Sequence, residues 1–297
     1  MGEFYQYQAL YAQGRYGEAE RFARRALELS KEEFGPDHLY TGAFLNNLAD
    51  LFRYQGRYDE AEPLFRRSLA INEKALGPEH PDVAAILGNL AKLYYAQGRY
   101  GEAESLMKQS LANRQKALGP EHPGVATSIN NLADLYRPQG RYDAAESLLK
   151  RSLAIREKVL GPEHPHVATS LNNLALLYNE QGRYDAAEPL QKRAVAILEN
   201  ALGPEHPDVA KSLNSLAHLY SGMGRQGEAE LLLKRSLAIA EKALGTEHPD
   251  FAASLNYLAL LYTAQGRYGD AEPLFRRTLA IAEKTLGPEH PKVRRIW

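Results

Sequence analysis

Apolar residues in the stretch from 81 to 122 recur with the spacing of an α-helix. In the first half of this stretch they follow one another at intervals of about three or four, which places them on one helical stripe. They are Val83, Leu87, Leu90, Ala91 and Tyr94. Pro81 suits the first position of such a helix, and Gly98 can adopt the left-handed conformation that ends one. We therefore predict a helix between these two residues.

The second half of the same stretch carries another helical stripe. Its inward residues are Ala103, Leu106, Met107, Ser110 and Leu111. No segment of the chain alternates apolar and polar residues with the period of two that a strand requires. The stretch therefore predicts an antiparallel helix pair, in which Ala91 and Ala103 are small enough to allow a close crossing.

This pattern returns every 42 residues. The joint Gly77-Pro-Glu-His-Pro81 recurs at 119, 161, 203 and 287, with variants at 35 and 245, and Gln-Gly-Arg-Tyr keeps the same interval. A fixed period of this size is typical of a solenoid, because one helix pair cannot bury its apolar face alone. We predict that residues 1–297 form a single all-α solenoid of about seven helix pairs, with the first and last units truncated.

The repeat motifs resemble those of a known family. Leu171-Asn-Asn-Leu-Ala-Leu-Leu-Tyr178, Gln181-Gly-Arg-Tyr184 and the joint are similar to the 42-residue tetratricopeptide repeat of the kinesin light chain type, over nearly the whole chain. The resemblance implies a right-handed superhelix of antiparallel helix pairs that binds short peptides on its concave side. The heptad segment by which a kinesin light chain joins its heavy chain is missing, so we do not expect a motor role.

Composition and charge exclude several partners. The formal net charge is −1 and the pI is near 6.8, so no net electrostatic attraction draws the chain to nucleic acid or to an anionic membrane. The absence of cysteine rules out disulfides and thiol catalysis. No apolar run reaches the roughly 20 residues that span a bilayer, and no secretion signal is visible. We expect a cytoplasmic protein without nucleic-acid or membrane partners.

Two patterns imitate functional sites. Gly222-Met-Gly-Arg-Gln-Gly227 fits the dinucleotide motif G-x-G-x-x-G, but a helix precedes it where the motif needs a strand, so we predict a turn. Each joint also carries a histidine, namely His38, His80, His122, His164, His206, His248 and His290. Successive repeats lie about 8–10 Å apart, which is too far for these imidazoles to share a metal ion. We interpret them as helix caps or interface contacts and expect no enzyme activity, metal or cofactor.

Basic pairs recur on the second helices and are interleaved with acids. The pairs are Arg66-Arg67, Lys150-Arg151, Lys192-Arg193, Lys234-Arg235 and Arg276-Arg277. The acids include Glu62, Glu73, Glu157 and Glu188. This alternation favours a solvated, salt-bridged outer face over a surface for nucleic acid.

A second stripe of each first helix, next to the packed one, is left for a ligand. The resemblance places this stripe on the concave side of the solenoid. Asparagines dominate it, and an asparagine amide offers one acceptor and two donors to the backbone of an extended peptide. The predicted peptide-binding residues, called the groove stripe below, are Asn46, Asn47, Asn89, Asn130, Asn131, Asn172, Asn173, Asn214, Asn256, Arg53, Lys92, Arg137, Leu176, His218 and Tyr257.

Two structural alternatives stay open for the groove stripe. Its asparagines can bond to the adjacent repeat, and Asp50, Lys92 and Asp134 can pair among themselves. The first half of the stripe carries charges of both signs, whereas the second half turns apolar at Leu176 and Tyr257. This predicts a ligand with a charged part and an apolar anchor.

We predict a non-enzymatic scaffold for protein–protein interaction that binds an extended peptide. Two alternatives are a sensor or regulatory region of a larger bacterial signalling ATPase or protease, and a structural array without a selected ligand. Neither end shows an obvious polar cap, although solenoid ends normally need one. Tyr5, Tyr7, Ile296 and Trp297 would leave apolar ends that favour end-to-end self-association.

Overall fold

The computed structural model describes residues 2–287 together with His290 and Val293. Residues 2–287 form fourteen α-helices and no strand. The helices are α1 (Gly2–Ala12), α2 (Tyr16–Phe34), α3 (Leu39–Tyr54), α4 (Tyr58–Leu76), α5 (Pro81–Ala96), α6 (Tyr100–Leu118), α7 (Pro123–Tyr136), α8 (Tyr142–Leu160), α9 (Pro165–Glu180), α10 (Tyr184–Leu202), α11 (Pro207–Gly222), α12 (Gln226–Leu244), α13 (Pro249–Ala264) and α14 (Tyr268–Leu286).

Consecutive helices pack as the predicted pairs. Odd-numbered helices are the first helices of the repeats and even-numbered helices the second. α5 packs along α6, and both Ala91 and Ala103 are 0% exposed, as expected for a close crossing. The same packing joins α1 to α2, α3 to α4, α9 to α10, α11 to α12 and α13 to α14. The predicted all-α repeat fold is confirmed.

The joint histidines cap the first helices. The backbone of His80 is extended (φ −66°, ψ 144°), and its Nδ1 accepts the backbone N–H of Asp82 at 3.2 Å. Five other joint histidines accept the N–H two residues ahead at 3.0–3.2 Å, namely His38, His122, His164, His206 and His248. Each bond satisfies an amide that the helix leaves without a partner. The predicted cap is confirmed at these six joints.

The chain divides into two compact units, Met1–Gly140 (unit 1) and Arg141–Trp297 (unit 2). Unit 1 contains α1 to α7, followed by a 3₁₀ turn at Arg137–Gln139. Unit 2 contains α8 to α14. The division falls in the turn between the two helices of one repeat. A single continuous solenoid stays a prediction.

The first helix differs from its counterparts at two positions where α3 buries leucines. It begins at Gly2, and it carries Gln6 and Ala9, both exposed, where α3 buries Leu48 and Leu51. Leu48 faces α2, the preceding repeat, across a hollow. The expectation that neither end carries an obvious polar cap stays a prediction.

The expected apolar ends are only partly present. Tyr5 is 64% exposed, as predicted. Tyr7 is buried instead, and its hydroxyl donates to the backbone carbonyl of Asn47 at 3.4 Å. Ile296 and Trp297 lie outside the described residues. Self-association stays a prediction.

Candidate functional site

The most regular polar residues form joints between successive repeats. In unit 1, Arg99 follows the turn before α6, and its Nη1 donates to Glu62 of α4 at 2.7 Å. Its guanidinium carbon also lies 3.8 Å from the ring centroid of Tyr94, within cation–π range. The Tyr94 hydroxyl donates to the same carboxylate at 2.9 Å. We call this group of arginine, tyrosine and preceding glutamate an outer joint.

Unit 2 contains three outer joints of the same kind. They are Arg183–Tyr178–Glu146, Arg225–Tyr220–Glu188 and Arg267–Tyr262–Glu230, with arginine–glutamate distances of 2.7, 2.8 and 2.9 Å. The pKa of Glu146 is lowered to about 2. The largest cause is a hydrogen bond from Lys150, and hydrogen bonds from Arg183 and Tyr178 contribute further. The pKa of Glu188 falls to about 2 for the corresponding reasons, with Lys192 first. These carboxylates are held charged because three donors converge on each.

Basic residues of the second helices pair with acids one turn earlier. Examples are Arg66–Glu62, Lys150–Glu146, Lys192–Glu188, Lys234–Glu230 and Arg276–Glu272. Each of these exposed pairs contributes little to stability, because solvent screens the two charges. The predicted salt-bridged outer face is confirmed. The arginines of the turns and the basic residues of the second helices both form ion pairs within the protein.

On the groove stripe of unit 1, the charges at α3 are already paired. Arg53 Nη2 donates to Asp50 Oδ1 at 2.6 Å, and the Tyr11 hydroxyl of α1 donates to Asp50 Oδ2 at 2.9 Å. Burial, together with the charge of Asp50, raises the pKa of Tyr11 above its usual value. Arg53 also stacks on Tyr54 at 4.3 Å. Asp50 is therefore satisfied by α1 and by its own helix, and the alternative in which Asp50 pairs with Lys92 is not realised.

A hollow of about 260 Å³ opens between α5 and α7 in the same unit. Three predicted groove residues meet there: Lys92 from α5, Asn131 from α7 and Arg137 from the turn after α7. The remaining lining residues are Tyr95, Met107, Asp134 and Leu135. Within the described part of the chain, Lys92 makes no hydrogen bond or ion pair. The hollow therefore offers the Lys92 ammonium, an amide and apolar side chains, together with the Asp134 carboxylate.

The other asparagines of unit 1 face their neighbours. Asn89 Nδ2 donates to Asn46 Oδ1 at 3.2 Å, which links α5 to α3. Asn130 is buried, with 5% exposure, whereas Asn47 is partly exposed. For Asn46 and Asn89, the alternative of a bond between repeats is therefore realised, although both side chains stay partly exposed.

In unit 2 the groove stripe is held by a polar network and ends in apolar residues. Asn172 Oδ1 accepts from Gln191 of α10 at 2.6 Å and from Ser212 of α11 at 3.1 Å. Asn214 is buried and donates to Ser254 of α13 at 3.0 Å. The remaining predicted residues are accessible: Asn173, Asn256, Leu176 and Tyr257 are partly exposed and His218 is exposed.

One pair of groove residues in unit 2 forms an aromatic contact between repeats. The rings of His218 on α11 and Tyr257 on α13 lie 6.3 Å apart between centroids. Leu260, one turn beyond Tyr257, is 50% exposed. These side chains form an exposed apolar and aromatic surface on the first helices of unit 2, and its use by an apolar ligand group stays a prediction.

Sequence reasoning missed Gln191. It is buried, at 2% exposure, and bonds a groove asparagine from the core side. A signal existed, because the equivalent residues Met107, Leu149 and Leu233 are all apolar.

The patterns that imitate metal and nucleotide sites do not form such sites in the described residues. Gly224 has φ +76° in the turn between α11 and α12, so the glycine-rich segment is the predicted helix–helix turn. No group of three histidine or acidic side chains among residues 2–287, His290 and Val293 is placed to hold a metal ion. Within the same residues, no helix has both the length and the apolar character needed to cross a bilayer.

Sequence models of known protein families match most of this chain. A tetratricopeptide repeat model matches residues 8–74, 40–116, 82–158, 124–200 and 167–242. A second tetratricopeptide repeat model matches residues 251–292. These matches cover most of the sequence, so the chain belongs to the tetratricopeptide repeat family.

Solved structures confirm the resemblance to the kinesin light chain type. A putative kinesin light chain from Podosopora anserina with nearly identical TPR-like repeats is 36% identical, with a TM-score of 0.54, over 70% of this chain and 98% of that one. BtubC (BKLC) from P. vanneervenii is 27% identical, with a TM-score of 0.63, over 77% of this chain and 92% of that one.

A more distant structure shows only the shared fold. A Rap protein complexed with competence and sporulation factor is 17% identical, with a TM-score of 0.71, over 95% of this chain and 74% of the Rap chain. A comparison with curated proteins gives no match.

Proposed function

We propose that the chain is a non-enzymatic scaffold that binds an extended peptide along the groove stripe of its first helices. The observation that carries the proposal is the hollow between α5 and α7, where Lys92, Asn131 and Arg137 meet. Lys92 has no partner within the described residues, so its charge is available to a ligand. A cation beside an amide and an apolar floor suits a peptide segment with an acidic group and a neighbouring apolar side chain.

The groove stripe of unit 2 suits a different kind of segment. Leu176, His218 and Tyr257 are accessible there, and the polar groups nearby are amides rather than charges. Apolar and aromatic side chains in such a position favour an apolar anchor residue. We therefore propose that unit 1 selects a charged peptide segment and unit 2 an apolar one, with asparagines contacting the backbone in both.

Two further considerations support a binding role. The Rap protein, which shares this fold, was solved in a complex with competence and sporulation factor, so the fold can hold a partner. In this chain, the outer joints occupy the most regular polar residues in structural contacts, and the variable residues lie on the first helices.

The experiment is selection of peptides from a random dodecamer library on the wild-type chain, followed by calorimetry with the best peptide. We expect Lys92→Ala and Asn131→Ala each to weaken binding about tenfold or more, since each removes a direct contact. The matched control is Lys108→Ala on α6, whose ammonium group lies 2.7 Å from Glu104 on the same helix. Affinity that is unchanged by both groove variants would reject the proposal for unit 1.

A further inference from the structure

One core residue of unit 2 differs in chemistry from its counterparts in the other repeats. Gln191 of α10 is 2% exposed, yet every other second helix carries an apolar residue at this position. Those residues are Ala23, Phe65, Met107, Leu149, Leu233 and Phe275. One turn later, α10 carries Ala194 where α8 and α12 carry Ser152 and Ser236. α10 therefore has glutamine and alanine where its two neighbours have leucine and serine.

The Gln191 amide fixes a groove asparagine from the core side. Its Nε2 donates to Asn172 Oδ1 at 2.6 Å and to the backbone carbonyl of Ser212 at 3.1 Å. The Ser212 hydroxyl donates to the same Asn172 Oδ1 at 3.1 Å. A carbonyl oxygen has two lone pairs, so the acceptor side of Asn172 is fully used. Its Nδ2 makes no hydrogen bond within the described residues, and the side chain is partly exposed.

The next repeat of unit 2 shows the opposite arrangement. Asn214 lies one repeat after Asn172, and its Nδ2 donates to Ser254 Oγ at 3.0 Å. Its Oδ1 is buried and has no hydrogen-bond partner among the described residues. Here Leu233 replaces the glutamine, and Ser236 Oγ lies 3.0 Å from Ser254 Oγ. Where the second helix carries Leu233 and Ser236, the amide nitrogen of Asn214 is therefore bonded within the protein and its oxygen is not. At Asn172 the oxygen is bonded and the nitrogen is not.

We propose that Gln191 is a positioning residue that turns Asn172 into a donor-only contact for a backbone carbonyl of a bound peptide. This inference rests on the proposed function, because it concerns the same groove stripe. An amide with a saturated oxygen presents only N–H groups, and the peptide group that these can bind is the carbonyl. Because two hydrogen bonds already hold the amide, little side-chain freedom is lost when the peptide binds. Gln191 itself touches no ligand.

The first test needs no ligand. The double variant Gln191→Leu/Ala194→Ser gives α10 the residues that α8 and α12 already accommodate, so the fold is retained. NMR measures hydrogen exchange of the Asn172 side-chain amide, assigned by its loss in Asn172→Asp. We expect exchange to slow about five- to tenfold in the double variant, because the amide then donates to Ser212 as Asn214 does to Ser254. Unchanged exchange in a folded variant overturns the positioning role.

The reciprocal variant is the matched control. Leu233→Gln/Ser236→Ala places the α10 residues in α12, beneath Asn214. We expect exchange of the Asn214 side-chain amide to become faster, because its acceptor oxygen gains two donors and its nitrogen loses Ser254. The same change in both asparagines, or none, contradicts the proposal. Urea unfolding of each double variant verifies that the repeats remain folded.

The second test uses the peptide selected from the dodecamer library on the wild-type chain. We expect its Kd to rise about five- to tenfold in Gln191→Leu/Ala194→Ser, while the urea midpoint is retained or increased. Slower exchange at Asn172 with an unchanged Kd overturns the ligand contact. If the library yields no peptide that binds the wild-type groove, the proposed function fails, and the exchange measurement still decides the role of Gln191.

Discussion

The outer joints and the groove stripe lie on the same helix pairs but follow opposite rules. In unit 2, each outer joint uses arginine, tyrosine and glutamate in the same geometry, at Arg183, Arg225 and Arg267. At the groove position of Asp50, by contrast, the following repeats carry Lys92, Asp134, Leu176, His218 and Leu260. The outer joints, which hold repeats together, thus keep the same residues, whereas the groove position of Asp50, where we propose a partner contact, varies from repeat to repeat.

The physical reason lies in what each position contacts. An outer joint joins two copies of the same unit, so both sides must present the same chemistry in every repeat for the array to continue. A groove residue needs to match only a ligand, whose chemistry can change along its length. Phe52 illustrates the limit of variation at a joint. It replaces the tyrosine but keeps the stacked arginine, with Arg57 at 4.0 Å from the ring centroid.

The largest effect that the comparison predicts is on stability, at an outer joint. Tyr220 is 5% exposed, stacks under Arg225 and donates to Glu188. Tyr220→Ala removes a buried ring and the hydroxyl that donates to Glu188, so we expect a loss of about 3–5 kcal/mol in the free energy of unfolding. Urea unfolding measures the loss. Tyr220→Phe, which copies Phe52, is the control and should cost about 1 kcal/mol.

A loss below about 1 kcal/mol for Tyr220→Ala would contradict the structural role of the joints. The peptide selected on the wild-type chain supplies an independent check. Tyr220→Phe should bind it with unchanged Kd, because the joint lies outside the groove stripe.

A smaller effect is expected on stability at acidic pH. The folded-state pKa of Glu146 is about 2, below the roughly 4.3 of an unfolded glutamate, because Lys150, Arg183 and Tyr178 donate to it. Its stabilisation is therefore present in full above about pH 5 and is lost as the pH falls toward 2. We expect Glu146→Gln to be about 1 kcal/mol less stable than wild type at pH 7 and to equal it near pH 2. Urea midpoints across this range test the convergence.

Glu163→Gln is the control for this experiment. Glu163 is exposed in the Gly-Pro-Glu-His-Pro segment before α9, away from the outer joints, and has no ion pair within the described residues. Its variant should follow the wild-type pH dependence throughout. A constant difference between Glu146→Gln and wild type from pH 7 to pH 2 would show that the carboxylate charge does not stabilise the outer joint.

The smallest stability effect is expected on the groove stripe. Asn173 is partly exposed on α9, so Asn173→Ala should change the free energy of unfolding by less than about 0.5 kcal/mol. The same variant should weaken binding of the selected peptide, because the proposed function places Asn173 in contact with that peptide. Thermal unfolding and calorimetry on one sample test both parts. If Asn173→Ala lowered the free energy of unfolding but left the affinity for the peptide unchanged, Asn173 would be a structural residue and not a peptide contact.

Much of the fold follows from local chemistry that the sequence displays. The spacing of Leu87, Leu90 and Tyr94 predicts α5, and Pro81 and Gly98 predict its bounds within about two residues. The caps are equally local, because His80 contacts an amide only two residues away. The salt-bridged outer face follows from residues one helical turn apart, such as Lys192 and Glu188. In each case the interacting residues are only a few positions apart, so the sequence pattern is enough to predict the contact.

The sequence predicts which residues belong to the groove stripe, but not which of their charges and amides are already paired within the protein. Arg53 and Lys92 look alike in sequence as cations beside Asp50, yet Arg53 is paired with Asp50 and Lys92 is not. Tyr11, a residue 39 positions earlier, also donates to Asp50, and no local spacing predicts that contact. Similarly, Tyr7 looked like an exposed end residue but is buried against α3.

Sequence by itself determined the repeat length, the helix pairs, the turn glycines, the histidine caps and the family of this chain. All of them rest on interactions within one helix, one turn or one repeated interface, which recur often enough to leave a period. Only the tertiary structure decided which groove groups remain available. The orientation of the Asn172 amide is set by Gln191 and Ser212 on two other helices, and no local spacing encodes three partners brought together by packing.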